Sequence, residues 1–233
     1  MTYLFYHNLE FLIFVVLLGA VYVGTSNGEL FFYNCTFQDN SATTDGGAFY
    51  MNTLNDNASI QRSFFYDNAA VDDGGALGVS SSNENLIIAH NVFSGNSCGD
   101  NGGVIWFSSS NNDANITNNT FTNNQATDNG GVVYFYRYND NIRILDNYFD
   151  GNVANEDGGG IYMYQYQDYF VIKGNEFTNN RADDDGGAVG CSGTNTYGNI
   201  EGNKFVDNES LDNGGGIWFS SSNNDANITN NTF

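Results

Sequence analysis

Tyr134, Tyr136 and Tyr138 alternate along one short stretch of the chain, and Tyr162, Tyr164 and Tyr166 alternate along another, each ring 28 residues after its counterpart. Period two is the spacing of side chains on one face of a strand. The six phenols therefore form a two-by-three grid on the solvent face wherever the two stretches lie side by side, with rings about 7 Å apart along the strand and about 5 Å apart between strands. Trp106 stands in the first column one period earlier, and Tyr50 and Trp218 recur in it farther away. Flat rings with a polar tip suit contact with a carbohydrate, with a surface protein of a host or neighbouring cell, or with a second copy of the chain, laterally or end to end. Ring stacking for stability alone is the competing reading.

Acidic pairs keep the same interval: Asp72-Asp73, Asp100-Asn101, Asp128-Asn129, Glu156-Asp157, Asp184-Asp185 and Asp212-Asn213. Charges stacked about 4.8 Å apart repel by about 1 kcal/mol in water and by about 3.5 kcal/mol at an effective dielectric of 20. A bound Ca²⁺ would reverse that sign, because hard cations take carboxylate oxygens in flexible numbers. Asp72, Asp73, Asp100, Asp128, Glu156, Asp157, Asp184, Asp185 and Asp212 are the candidate ligands. Asp and Asn ahead of a glycine turn also bond nearby backbone, which needs no metal. No other cofactor is expected.

Catalysis finds little footing. His7 and His90 have no periodic counterparts, and the six Lys and Arg residues are scattered. Glycoside hydrolysis needs two carboxylates at a set separation in a cleft, whereas these acids follow the repeat. The expectation is a non-catalytic protein. Its rival is a carbohydrate-active enzyme, a polysaccharide lyase or glycosidase, built on a non-repeating acid and base cluster.

The elements that must position these residues are set by one period. Gly-Gly recurs seven times at 28-residue intervals, at Gly46-Gly47, Gly74-Gly75, Gly102-Gly103, Gly130-Gly131, Gly158-Gly159, Gly186-Gly187 and Gly214-Gly215. Phenylalanine keeps the same interval from Phe37 to Phe233, and an asparagine follows three residues after each of the first seven. Self-similarity at this period means a stacked solenoid. Alternating apolar residues follow each Gly-Gly, an apolar residue stands five before each Phe, and a small one stands five after it. Three short inward-facing strands per coil follow, joined by turns rich in Asn, Asp and Gly. Leucine is too scarce for a leucine-rich repeat, and the period does not fit nine-residue calcium rolls.

The fold class is thus all-β, a right-handed parallel β-helix of about seven coils over residues 25–233, with Phe on Phe and Ile on Ile in the core. The seven steps from Phe37 to Phe233 would span roughly 34 Å. Proline is absent, as suits a sheet in which every N–H reaches the next coil. The Asn after each Phe predicts a hydrogen-bonded amide ladder at a left-handed turn. Gly-Gly predicts a positive-φ corner and close approach of coil to coil.

The formal charge of −21 argues against nucleic acid or an anionic membrane as partner, and against membrane insertion of the solenoid. Cys35, Cys98 and Cys191 fall at three different phases and read as buried free thiols. Residues 1–24 hold an apolar run, Phe11 to Val23, that suits the core of an export signal; Gly19-Ala20-Val21-Tyr22 keeps the repeat phase, so a cap on the first coil is the alternative. Seven Asn-x-Ser/Thr sequons, at Asn34, Asn57, Asn115, Asn118, Asn208, Asn227 and Asn230, are near the number that composition yields by chance. Asn208 belongs to the amide ladder and is expected to be unavailable.

The tetrapeptides Gly-Gly-Ala-Phe (46–49), Gly-Gly-Ala-Leu (74–77), Gly-Gly-Val-Ile (102–105) and Gly-Gly-Ala-Val (186–189), alternating with Phe-x-x-Asn, resemble the paired short repeats of the chlamydial polymorphic outer-membrane proteins. The resemblance runs over about residues 30 to 233. It implies an autotransported surface adhesin whose passenger is a parallel β-helix of the pectin-lyase-like superfold. Extracellular or cell-surface adhesion or scaffolding is therefore the expected role. Residues 102–121 and 214–233 differ only at Val104 against Gly216, a higher-order repeat of four coils, and the chain stops at Phe233 in mid-coil, which predicts a longer parent array.

Overall fold

In a computed structural model, which describes residues 4–7, 10–12, 19–221 and 223–233, the chain winds as a stack of parallel coils. One coil carries four strands in succession, Ile87–Ala89, Val92–Ser94, Ser97–Cys98 and Ile105–Ser109. Each pairs in parallel with its equivalents one period away: Ile88 lies between Ile60 and Ile116, and Phe93 between Phe65 and Phe121. Among the described residues this produces an isoleucine sheet of nine strands, a phenylalanine sheet of eight, a small-residue sheet of seven and a glycine-led sheet of eight.

The pattern predicts three strands per coil; the coil has four. The residue between the isoleucine and phenylalanine segments takes positive φ, as at Asn34, Arg62, His90, Asn118 and Asp146, with φ of 56°, 51°, 58°, 54° and 54°. That corner turns the chain, so each segment pairs in a sheet of its own. The small residues form the extra, two-residue strands, such as Gln125–Ala126.

Phenylalanine rings repeat up the axis with centroids 4.7 Å apart at Phe37–Phe65, 5.0 Å at Phe93–Phe121 and 4.6 Å at Phe149–Phe177, all stacked. One apolar cluster runs from Val23 to Phe205. Parallel stacking of coils about 4.8 Å apart is what brings each side chain onto its equivalent.

Both expectations for Gly-Gly hold. The first glycine is left-handed, Gly102 at φ 71°. A Cβ on the second would meet backbone of the next coil, 2.3 Å from the Gly131 oxygen at Gly103. The amide ladder also forms. Asn124 Nδ2 donates to Asn152 Oδ1 (2.9 Å) and to the Phe93 carbonyl (3.2 Å), while its backbone N–H donates to the same Oδ1 (3.0 Å). The left-handed residue, however, is the one before the ladder Asn, Asn123 at φ 54°, because the ladder side chain must turn inward.

Leu4–His7 pairs with Leu30–Tyr33, and Glu10–Leu12 with Thr36–Gln38, adding a rung to the isoleucine and phenylalanine sheets; Val21–Val23 opens the glycine-led sheet. The export-signal and cap readings of residues 1–24 fall in part on residues 1–3, 8, 9 and 13–18, outside those described. All three cysteines are buried thiols, and burial pushes the Cys98 and Cys191 thiols up. Asn208 sits in the ladder, accepting from Asn180 and donating to the Phe177 carbonyl. No helix of the described residues is long and apolar enough to cross a membrane.

Candidate functional site

The tyrosines stand on the glycine-led sheet and at the corner that follows it. Val133–Arg137 and Ile161–Gln165 pair in register, Tyr134 with Tyr162 and Arg137 with Gln165. Three stacked ring pairs result, Tyr134–Tyr162 and Tyr136–Tyr164 at 5.7 Å and Tyr138–Tyr166 at 5.0 Å, with interplanar angles of 20°, 9° and 5°.

The grid is not uniformly open, which corrects the expectation of six phenols on the solvent face. Tyr134 and Tyr162 are only 6 % and 5 % exposed. Their column begins just after the Gly-Gly corner, where the chain doubles back beside it. Asp157 and Ser192 are the polar neighbours of the Tyr162 hydroxyl. Burial drives both phenol pKa values well up, so these rings pack against the acidic corner. Trp106, on the same column, is half-buried. Tyr136 and Tyr164 are half-buried as well, while Tyr138 and Tyr166 are 52 % and 41 % exposed.

A second pair extends the open end of the grid. Tyr169 and Tyr197 stack at 4.9 Å and 8°, and both are more than half exposed. Their 28-residue separation is visible in the sequence, but neither belongs to an alternating run, and alternation was the signal used. Tyr138, Tyr166, Tyr169 and Tyr197 share a further property: all four have φ between 55° and 59°. Equivalent left-handed corners in other coils hold Ser26, Leu54, Ser82 and Ser110, or Asn57, Asn85, Asp113 and Asn141. Asn, Asp and Ser suit that conformation, and a bulky ring does not.

Within the face, the Arg137 guanidinium lies over two rings, 4.9 Å from the Tyr136 centroid and 5.3 Å from that of Tyr164. The neighbouring Tyr164 hydroxyl first, and the phenols of Tyr136 and Tyr138 with it, raise its already high pKa.

The acidic pairs divide into two roles. First members run in register through their backbones, Asp100 N–H to the Asp72 carbonyl and Asp128 N–H to that of Asp100. Second members form a side-chain ladder. Asp45 Oδ1 accepts from Asp73 N–H, and Asp73 Oδ1 accepts from both the backbone N–H and Nδ2 of Asn101; Asp157 and Asp185 accept from the coil after them in the same way. Burial pushes the Asp73 carboxyl up to about 6, and raises Asp45 and Asp157 too. The candidate Ca²⁺ ligands Asp72, Asp100, Asp128, Glu156, Asp184 and Asp212 flank this ladder, and among the described residues no three Asp, Glu, His or Cys side chains are grouped to hold a metal ion.

His90 sits exposed at a left-handed corner, and the His7 side chain lies outside the described residues. Lys173 pairs with Glu201, Lys204 with Glu176 and Arg181 with Asp183, surface pairs of the kind worth little.

Residues 34–52 match the Chlamydia polymorphic membrane protein repeat, the stretch holding Phe37, Asn40 and the first Gly-Gly-Ala-Phe. No curated protein and no solved structure matches the chain. The profile described as right handed beta helix region matches residues 100–233, more than half of the sequence, and the stacked parallel coils are what that profile describes: the chain belongs to the right-handed β-helix family.

Proposed function

We propose that this β-helix is a surface-exposed repeat protein, of the kind the polymorphic-membrane-protein repeat suggests, that works by adhesion through its tyrosine face and carries out no catalysis. The observation that supports this reading most directly is the occupation of four left-handed corners by tyrosine. Bulky residues in that conformation cost on the order of 1 kcal/mol each and persist where something else selects them. Stacking does not require the corners, since Tyr134–Tyr162 and Tyr136–Tyr164 stack from ordinary strand positions. The carboxylates support the non-catalytic part. They recur coil by coil, and Asp73, Asp157 and Asp185 already accept backbone N–H groups, which is the work of architecture.

The test replaces Tyr138 and Tyr166 by Ser, and Tyr169 and Tyr197 by Asn, the residues other coils use at those corners. Beads coated with either chain would be scored for retention on cultured eukaryotic cells and on a glycan array. Retention at least tenfold weaker for the variant is expected on one of the two surfaces. Equal retention on both would remove the tyrosine face as the contact surface.

A further inference from the structure

The geometry points to Arg137 as the anchor for an acidic side chain of a protein partner docked on the tyrosine face, an inference that rests on the contact role proposed above. With Arg62 and Arg143, Arg137 is one of three cations that none of the three ion pairs among the described residues includes, but it lies over two rings where Arg62 lies over one. Its Nε is buried without a hydrogen-bond partner, which leaves the terminal nitrogens to meet a ligand. The carboxylates that follow in sequence are committed elsewhere: Asp140 accepts from Asp168 N–H, and Asp168 from Thr196 N–H and its hydroxyl. The guanidinium is nevertheless positioned by two rings, lying over Tyr136 and Tyr164. A fixed planar fork without its own carboxylate is suited to bidentate capture of one.

The strand position bears this out as a local choice. Ser109 precedes Arg137 in register and Gln165 follows it, so neither packing nor pairing demands a cation here.

Ring geometry favours a protein over a sugar. Stacking at 5–20° turns the ring faces toward one another along the coil axis, whereas a pyranose needs an open face to lie on. What remains outward are ring edges, hydroxyls and a guanidinium, bordered by Ser108, Ser110, Ser192 and Asn141. Rigid tyrosines around an arginine, rimmed by Ser and Asn, are the composition of protein-binding hot spots and paratopes. Charge also narrows the partner. At −21 overall, the chain repels polyanions and further copies of itself; one carboxylate set among neutral or basic groups is the complement.

A displayed random-peptide library selected on the immobilised full chain supplies the probes, and peptides it enriches would be measured by isothermal titration. Enriched peptides are expected to carry Asp or Glu. Their affinity should fall at least tenfold on Arg137→Gln, and equally on exchanging the peptide's acid for its amide, with part of it kept by Arg137→Lys. Gln already occupies the equivalent position 165, so the variant is expected to fold, which a thermal melt confirms. Peptides that bind Arg137→Gln as well as wild type overturn the inference, yet leave the contact face standing if the four corner substitutions abolish binding. Insensitivity to both sets of changes removes both. An Arg137-dependent signal only from sialylated or uronate glycans, or only from self-association in sedimentation, overturns the peptide occupant, as does the absence of any enrichment.

Discussion

Tyr162 and Tyr166 are four residues apart on one strand and its corner, yet their removal should read out differently. Tyr162 is buried and stacked on Tyr134. Tyr162→Ala should lower stability by about 2–4 kcal/mol in urea titration, from lost burial and the cavity left behind. Tyr166 is exposed and left-handed. Tyr166→Asn loses stacking worth about 0.5–1.5 kcal/mol and recovers strain of about the same size, so stability should stay within about 1 kcal/mol of wild type. A large loss there would mean that the corner tyrosines serve the fold alone.

Asp73 makes the same point for charge. Its carboxyl is raised to about 6 by burial, against an unfolded value near 3.8, so between those values the folded state binds more protons than the unfolded one. Stability therefore falls as pH rises from 4 through 6 and levels off above. Asp73→Asn, the residue found at Asn101, Asn129 and Asn213, should flatten that slope and add on the order of 2 kcal/mol at pH 8, measured by urea titration at both pH values. An unchanged slope would refute the burial argument. The sequence displayed the grid and the acidic columns through their period. It could not display which ring of a strand is covered, because that depends on how the Gly-Gly corner folds back beside it, nor the left-handed corners, which ordinarily announce themselves by Asn, Asp or Gly.

At the scale of the element, two kinds of side-chain ladder explain where the sequence tolerates Asp. In the interior ladders Nδ2 donates both to the next Oδ1 and to a main-chain carbonyl, as at Asn119 with Asn147 and Ile88; a carboxylate could do neither. Among the described residues such ladders run through Asn124 and through Asn119, with Cys35 and Ser63 as departures; a third, through Asn111 and Gln167, is held by backbone N–H groups donating to the next side-chain oxygen, and Asn111 Nδ2 has no partner. At the Gly-Gly corner the side chain need only accept a backbone N–H, and Asp and Asn interchange. Asn124→Asp should accordingly cost about 3–5 kcal/mol, since it removes the side-chain donor to the Phe93 carbonyl and sets a buried charge against Asn152 Oδ1. A loss no greater than that of an exposed Asn→Asp control would show that the ladders contribute little. The ladder after each phenylalanine was legible because the aromatic marks its phase. The other two were obscured by their exceptions and by the many Asn residues in the turns between them, as was the fourth strand, which two residues suffice to form.

The whole molecule follows from nearest-neighbour stacking, since each coil's hydrogen bonds and ring contacts go to the coils directly before and after it. Stability in such a stack is a sum over coils and their interfaces, and among the described residues each strand pairs only with its equivalents in the adjacent coils. Excising residues 67–94 joins Tyr66 to Gly95 at the phase of the original sequence. Phe65 then stacks on Phe121, Ile60 on Ile116, and Asn40 still meets an asparagine, Asn96, in the ladder. The shortened chain should keep its far-UV circular dichroism per residue and melt only a few degrees lower. Excising residues 67–80 instead sets all later coils half a period out of phase with the earlier ones: at that junction Ile60 would face Gly102 and Asn40 would meet Ser82 in place of Asn68, while the coils beyond it stay in register with one another. That chain should lose its single cooperative melt, the two sides of the junction unfolding separately. A large loss from the full-coil excision would mean that stability is not local.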